Sequence, residues 1–276
     1  MSSLTDDLRA HQVQIAEGVR NRILILDVER LDGITEQHFW GRGDLKNRYI
    51  HPETIKRYPR TTIVCAKWYF SPHVIRLAEW DKGGRKAFLR KVHRLLERAD
   101  IIVGHYIDEA DIPWLKGDLH IEAGLPPLPP FKTVDTLKVL RKQFKSGAPV
   151  KGLDAFCQII GLPGKTDRYD RDAMERAVTD KSVEDRQRLT DYCAGDVIAT
   201  QGLYDWARPF ITNHPALFMD GKDKLTTCHR CGGETEIIPR RYVAQIMTYT
   251  MRKCLACQGY SRISIEPERQ SIVRGV

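Results

Sequence analysis

Residues 22–30, RILILDVER, join a run of branched aliphatics directly to two carboxylates. The aliphatics read as a buried strand. On a strand, residues two apart share a face, so Asp27 and Glu29 project together at the end of an apolar segment. Carboxylates in such a place are costly unless positive charge meets them. Two more clusters follow: Asp111 within VGHYIDEADIPWL, and Tyr192 with Asp196 within TDYCAGDVIAT. Four residues apart on a helix, Tyr192 and Asp196 also share a face. A pair of divalent cations is the simplest partner for all four carboxylates, and oxygen-only ligands select hard ions such as Mg²⁺ or Mn²⁺.

The order of elements predicts a mixed α/β fold. ILILDVE, TTIVCAKWYF and HVIRLAEW read as strands before any long helix, which suggests an antiparallel meander at one side of a mixed sheet. KAFLRKVHRLLERA has helical spacing, ADIIVGHY is a short buried strand, DIPWLKGDLHIEAG opens a helix, and helical patterns dominate from Val134 to about Arg208. Strands followed by strand–helix alternation fit a sheet covered by helices. Proline, glycine and charge gather at 213–223, a linker to a second module. The expected organisation is a helical extension over 1–20, an α/β domain over 21–212, the linker, a cysteine module over 224–266 and a tail over 267–276.

The cysteine module is the clearest local signal. CHRC and CLAC supply Cys228, Cys231, Cys254 and Cys257, with 22 residues between the pairs. Four thiolates suit one tetrahedral Zn²⁺, and glycines after each pair let the backbone turn. ETEIIP, RYVAQIMTYTM and YSRISIE flank them as strands, and the whole resembles a zinc ribbon. Its zinc is expected to be structural, because so small a module has little core. The total of seven cysteines is odd, which argues against a disulfide framework. Cys65, Cys157 and Cys193 read as buried small hydrophobes.

The 44 lysines and arginines exceed the 36 acids, which favours polyanionic partners, chiefly nucleic acid. Lys138, Arg141, Lys142 and Lys145 fall near one helix face, and Lys165 lies in GLPGKT, which lacks the first glycine of a phosphate loop. Arg240, Arg241 and Arg252 mix with tyrosines in the cysteine module. Of these, Lys138, Arg141, Lys142, Lys165, Arg240, Arg241 and Arg252 are candidate nucleic-acid contacts. No apolar run approaches the ~20 residues of a membrane span, and the polar opening is not a signal peptide. A cytoplasmic location, in a bacterium or a bacteriophage host, is the expectation.

Taken together, the acidic clusters resemble the motifs of the DEDD superfamily of 3′–5′ exonucleases, in its tyrosine (DEDDy, DnaQ-like) subclass. Asp27-Val28-Glu29 matches the first motif. Tyr106 to Leu115 matches the second through its Asp111-Ile112-Pro113-Trp114-Leu115 tail, which favours Asp111 over Asp108 as the ligand. Tyr106 stands where the family has Asn, and Ala110 where it has an aromatic. Tyr192-Cys193-Ala194-Gly195-Asp196 matches the third motif. The resemblance spans roughly residues 22–210. It implies a ribonuclease H-like fold, two Mg²⁺ or Mn²⁺ ions, and hydrolysis of single-stranded DNA or RNA from the 3′ end, with DNA favoured, in replication, repair or recombination. It also implies that Asp27 bridges both ions. Glu29 and Asp196 would hold the ion that activates water, Asp111 the second ion, and Tyr192 would orient the water. Replication or repair proteins are candidate partners. A ribonuclease of the same family, or a non-catalytic adaptor acting through the ribbon, are the alternatives.

Overall fold

The computed structural model describes residues 22–38, 49–145, 152–163, 169–215, 223, 225–244, 247–263 and 268–269. The expected extension over 1–20, Lys165, and most of the linker and tail lie outside these described residues.

Strands β1 (Ile23–Leu31), β2 (Ile34–Thr35), β3 (Ile55–Arg57), β4 (Arg60–Trp68) and β5 (Ile75–Ala78) precede helix α1 (Gly84–Leu96). Then come β6 (Ile101–Gly104), α2 (Asp111–Lys116), a π-helical turn (Gly117–Glu122), β7 (Lys132–Asp135), α3 (Thr136–Gln143), α4 (Leu153–Ile159), α5 (Arg171–Thr179) and the long α6 (Val183–Ala207). One sheet runs β5-β4-β1-β6-β7. β5, β4 and β1 pair antiparallel, whereas β6 and β7 run parallel to β1. The meander and the mixed sheet are as expected. One segment differs: Val134 and Asp135 belong to β7, not to the start of the helical region. Lys132 to Asp135 find hydrogen-bond partners along β6, and pairing overrides the helical pattern that follows.

Alternation along β1 assigns its two faces. Leu24 and Leu26 pack with Val64, Trp68, Phe88 and Val92 in the layer under α1. Ile23 and Ile25 pack with Met174, Leu189, Cys193 and Val197 in the layer under α5 and α6. Continuing the two-residue period turns Asp27 and Glu29 toward α6, while Val28 packs against the α1 layer. Cys65, Cys157 and Cys193 are all buried.

The C-terminal module is a separate sheet of β8 (Thr235–Ala244), β9 (Met247–Cys254), β10 (Tyr260–Arg262) and β11 (Glu268–Arg269), with β9 paired to the other three. RYVAQIMTYTM is divided between two strands rather than forming one. Tyr242 lies opposite Tyr249 and Ala244 opposite Met247, so the segment folds back as a hairpin. The register shifts between Ile238 and Arg241, which leaves Pro239 and Arg240 in a bulge. Proline has no N–H for the ladder, so a bulge is where a strand tolerates it. Among the described residues, no helix is long and apolar enough to cross a membrane.

Candidate metal centres

Two groups of potential ligands converge in the described residues. The first lies where β1 emerges beside the end of β6. Ile25 is opposite Val103 in the parallel pair, so Asp27 falls level with the residue just past Gly104. Ligand atoms of Asp27, Glu29 and Cys193 all lie within 4.8 Å of one another. The Cys193 thiol donates to the Asp27 carbonyl at 3.5 Å and ties α6 to β1 at this level. Burial, the neighbouring Cys65 thiol and the Asp27 and Glu29 charges push the Cys193 thiol up, so it stays protonated and packs. This sulfur was not foreseen as a neighbour of the carboxylates, because nothing local in CAGD marks which helical face meets the sheet.

Tyr192 and Asp196 flank Cys193 on α6, and Asp196 is buried. Asp111 is the first residue of α2 and is partly buried. Neither Asp111 nor Asp196 belongs to the 4.8 Å set around Asp27 and Glu29. Burial pushes the Asp111 carboxyl up to about 7, with the Asp135 charge adding to the rise and Arg30 opposing it. Asp108, its rival in sequence, carries a formal neutraliser: the Lys138 ammonium is 3.1 Å away.

The loop bearing Asp111 is held from below by Asp135, which sequence reading passed over. The buried Asp135 carboxylate accepts the backbone N–H groups of Tyr106, Asp108 and Lys138 at 3.1, 3.3 and 3.1 Å. The bond to Lys138 caps α3, and Asp before Thr-x-x is a recognisable cap signal in sequence. Tyr106 sits at φ 67, a left-handed conformation uncommon outside glycine. A Cβ at Gly104 would lie 2.6 Å from the Ile107 side chain, so the fold-back of this loop needs glycine there. His105 bonds Thr136 Oγ1 at 2.9 Å and Thr136 in turn reaches the Gly104 carbonyl.

Two further groups border the acids. The Arg30 guanidinium lies 3.5 Å above the Trp114 ring, and burial lowers its pKa against the pull of Asp118 and Asp111. The Tyr169 hydroxyl donates to the Arg30 carbonyl at 2.8 Å, and burial with the Glu29 charge pushes this phenol up to about 12. Only the tertiary fold brings residues 30, 114 and 169 together.

The second centre is the cysteine cluster, whose four sulfurs lie within 4.8 Å of one another. Cys228 and Cys257 sulfurs are 3.8 Å apart, and those of Cys231 and Cys254 are 3.6 Å apart. A tetrahedron with metal–sulfur bonds of about 2.3 Å has edges of about 3.8 Å, so this cage fits zinc. The two knuckles repeat one another. Cys228 N–H reaches the Gly233 carbonyl at 2.7 Å, and Cys254 N–H reaches the Gly259 carbonyl at 2.9 Å. A Cβ at Gly233 would lie 3.2 and 3.3 Å from two of the sulfurs, and one at Gly259 would lie 2.6 Å from Arg230. Hydrogen bonding from Cys231 and from backbone N–H groups holds the Cys228 thiol below its ordinary value. Arg230, inside the first knuckle, is buried and joins the modules. It donates to the Ile211 carbonyl and the Tyr260 carbonyl, both at 2.8 Å.

The candidate nucleic-acid contacts are scattered. Lys138 is engaged by Asp108 and Glu109. Arg141 lies 5.7 Å from the Tyr106 ring, and Lys142 is exposed on α3. Arg241 pairs with Glu268, Arg252 bonds Thr235, and Arg240 stands in the β8 bulge.

No family model matches the sequence, and no curated protein matches it. Among solved structures, the chain is similar to the family B DNA polymerase from the hyperthermophilic archaeon Pyrobaculum calidifontis, with 16% identity and a TM-score of 0.45. The match covers 68% of this chain and 25% of the polymerase, so the chain spans about a quarter of that protein's length.

Proposed function

We propose that the chain is a metal-dependent 3′–5′ exonuclease with a ribonuclease H-like fold, acting on single-stranded ends. The reading is carried by one observation. Asp27 and Glu29 meet on the α6 face of β1 within 4.8 Å, beside the helix that bears Tyr192 and Asp196. The Asp111 carboxyl, pushed up to about 7 by burial and by Asp135 despite the opposing Arg30 charge, supports it: a bound cation would offset the cost of ionising it. The donor set fits hard divalent ions, with Asp27, Glu29, Asp111 and Asp196 as the holding residues. Such ions, when bound, stabilise negative charge on the attacking and leaving oxygens of a phosphodiester.

The protein groups supply orientation. In hydrolysis, the oxygen of water bonds to phosphorus while the 3′ oxygen of the penultimate nucleotide leaves and takes up a proton. Tyr192 would position that water by a hydrogen bond from its hydroxyl. Ile25, Val197 and Leu189 pack together in the apolar layer between β1 and α6. Asp111 and Asp196 stand outside the tight set and would hold the ions from its edge.

The test is a 5′-labelled DNA and RNA ladder with Mg²⁺ or Mn²⁺. Stepwise shortening from the 3′ end, lost in Asp27→Ala and Asp196→Ala with unchanged circular dichroism, is the expected result. Wild-type rates in those variants would end the proposal. The two ladders also decide between DNA and RNA.

A further inference from the structure

The cleft between the cysteine module and the end of the first domain has chemistry that the catalytic reading does not use. It encloses about 720 Å³ and runs from Thr212 to Arg252, Tyr260 and Arg262. That volume lies within the range of about 300–1,000 Å³ typical of ligand sites. Its described lining contains three arginines and one histidine and no carboxylate. The contrast with the larger cavity of about 890 Å³ on the first domain is instructive, because there Glu79, Asp118 and Glu122 face the arginines. Of these two, the cleft beside the module is the one that presents uncompensated positive charge.

Two of its guanidinium groups are already fixed. Arg230 is anchored to the Ile211 and Tyr260 carbonyls, and Arg252 to Thr235 Oγ1 at 2.6 Å and to the Thr235 carbonyl. Arginine has five N–H donors, so each keeps donors for a ligand, and the anchoring lowers the entropy lost on binding. The third, Arg262, lies 4.4 Å from the Tyr249 ring centroid and 5.3 Å from that of Tyr242. Tyr242 and Tyr260 are about half exposed, at 48% and 52%. Guanidinium groups beside exposed aromatic faces match a single strand, whose phosphates take the cations and whose bases stack.

We propose that this cleft binds a segment of single-stranded nucleic acid through Arg252, Arg262, Tyr242 and Tyr260. The choice of ligand rests on the exonuclease reading, whereas the preference for anions stands on the lining alone. The proposal leaves out Arg241 of β8, which is paired with Glu268, while Tyr242 of the same strand lines the cleft.

The experiment measures fluorescence anisotropy of a labelled oligonucleotide on the full chain carrying Asp27→Ala, with zinc retained and without Mg²⁺ or Mn²⁺. Arg262→Ala is expected to weaken binding about tenfold and to flatten the salt dependence by about 0.7 in log–log slope. Arg240→Ala is expected to stay within about twofold, and Arg262→Lys to fall between. Zinc content and melting temperature verify that each variant keeps its cage. Unchanged affinity in Arg262→Ala with zinc intact would overturn the proposal. So would displacement of the oligonucleotide by polyglutamate as readily as by unlabelled strand, which would assign the cleft to an acidic peptide. A small chromogenic nucleotide phosphodiester separates the two readings. The unsubstituted protein should hydrolyse it, and Asp27→Ala should abolish that hydrolysis. Failure of the unsubstituted protein to hydrolyse any substrate, with Arg262-dependent binding preserved, removes the exonuclease reading and keeps the cleft.

Discussion

Replacing Asp111 by Asn should make the protein more stable and less active. The carboxyl is partly buried at the first position of α2, and burial together with Asp135 moves it from the usual 3.8 up to about 7. Below the ordinary value the group is neutral in both folded and unfolded chains, and the fold bears no penalty. As pH rises from about 4 toward 7, the unfolded chain ionises while the folded one resists, so stability falls. Above 7 the loss is complete. At about 1.4 kcal/mol per tenfold change in ionisation constant, it amounts to about 4 kcal/mol, and water at this partly exposed site reduces it to about 2–4 kcal/mol. The carboxamide of the Asp111→Asn variant carries no such charge. At roughly 2–4 °C per kcal/mol for a domain of this size, Asp111→Asn should melt about 4–16 °C higher at pH 8. The gain should vanish at pH 4. The assay is a pair of thermal melts without added Mg²⁺ or Mn²⁺, and without a chelator, so that the zinc stays in place. Adding Mn²⁺ at pH 8 should raise the wild-type melting point and leave the variant's nearly unmoved. A variant that gains equally at both pH values, or loses stability at pH 8, would refute the reasoning.

Other outcomes follow from the same contacts. Asp135→Asn loses acceptor capacity for three backbone N–H groups and should cost about 1–3 kcal/mol, together with most of the hydrolytic rate, read by denaturant melts alongside the ladder assay. Elemental analysis should give one zinc per chain, and a zinc-selective chelator should abolish the near-ultraviolet signal of the tyrosine-rich C-terminal module while the first domain keeps its far-ultraviolet spectrum. Arg230→Ala removes two carbonyl bonds at the junction and should increase proteolysis between the modules without releasing zinc.

Much of this molecule is local chemistry. The β1 face that holds Asp27 and Glu29 follows from a two-residue period, and the Cys228 to Cys257 cage follows from paired short spacings whose turns need glycine. Those features depend on neighbours in the chain, so the amino-acid order alone reveals them. The divided RYVAQIMTYTM segment was not legible, because a hairpin is set by cross-strand pairing rather than by propensity. Nor was Asp135 visible as the support of the Asp111 loop, since its partners Tyr106 and Asp108 are contributed by a neighbouring strand end. Sequence alone determined that Asp27 and Glu29 share one face of β1 and that Cys228, Cys231, Cys254 and Cys257 come in two short-spaced pairs. Tertiary structure decided their surroundings: Cys193 beside Glu29, Arg30 against Trp114, and a cleft around Arg262 whose described lining holds no carboxylate. Those environments arise from packing between distant segments, where burial and the sum of nearby charges set how each group behaves.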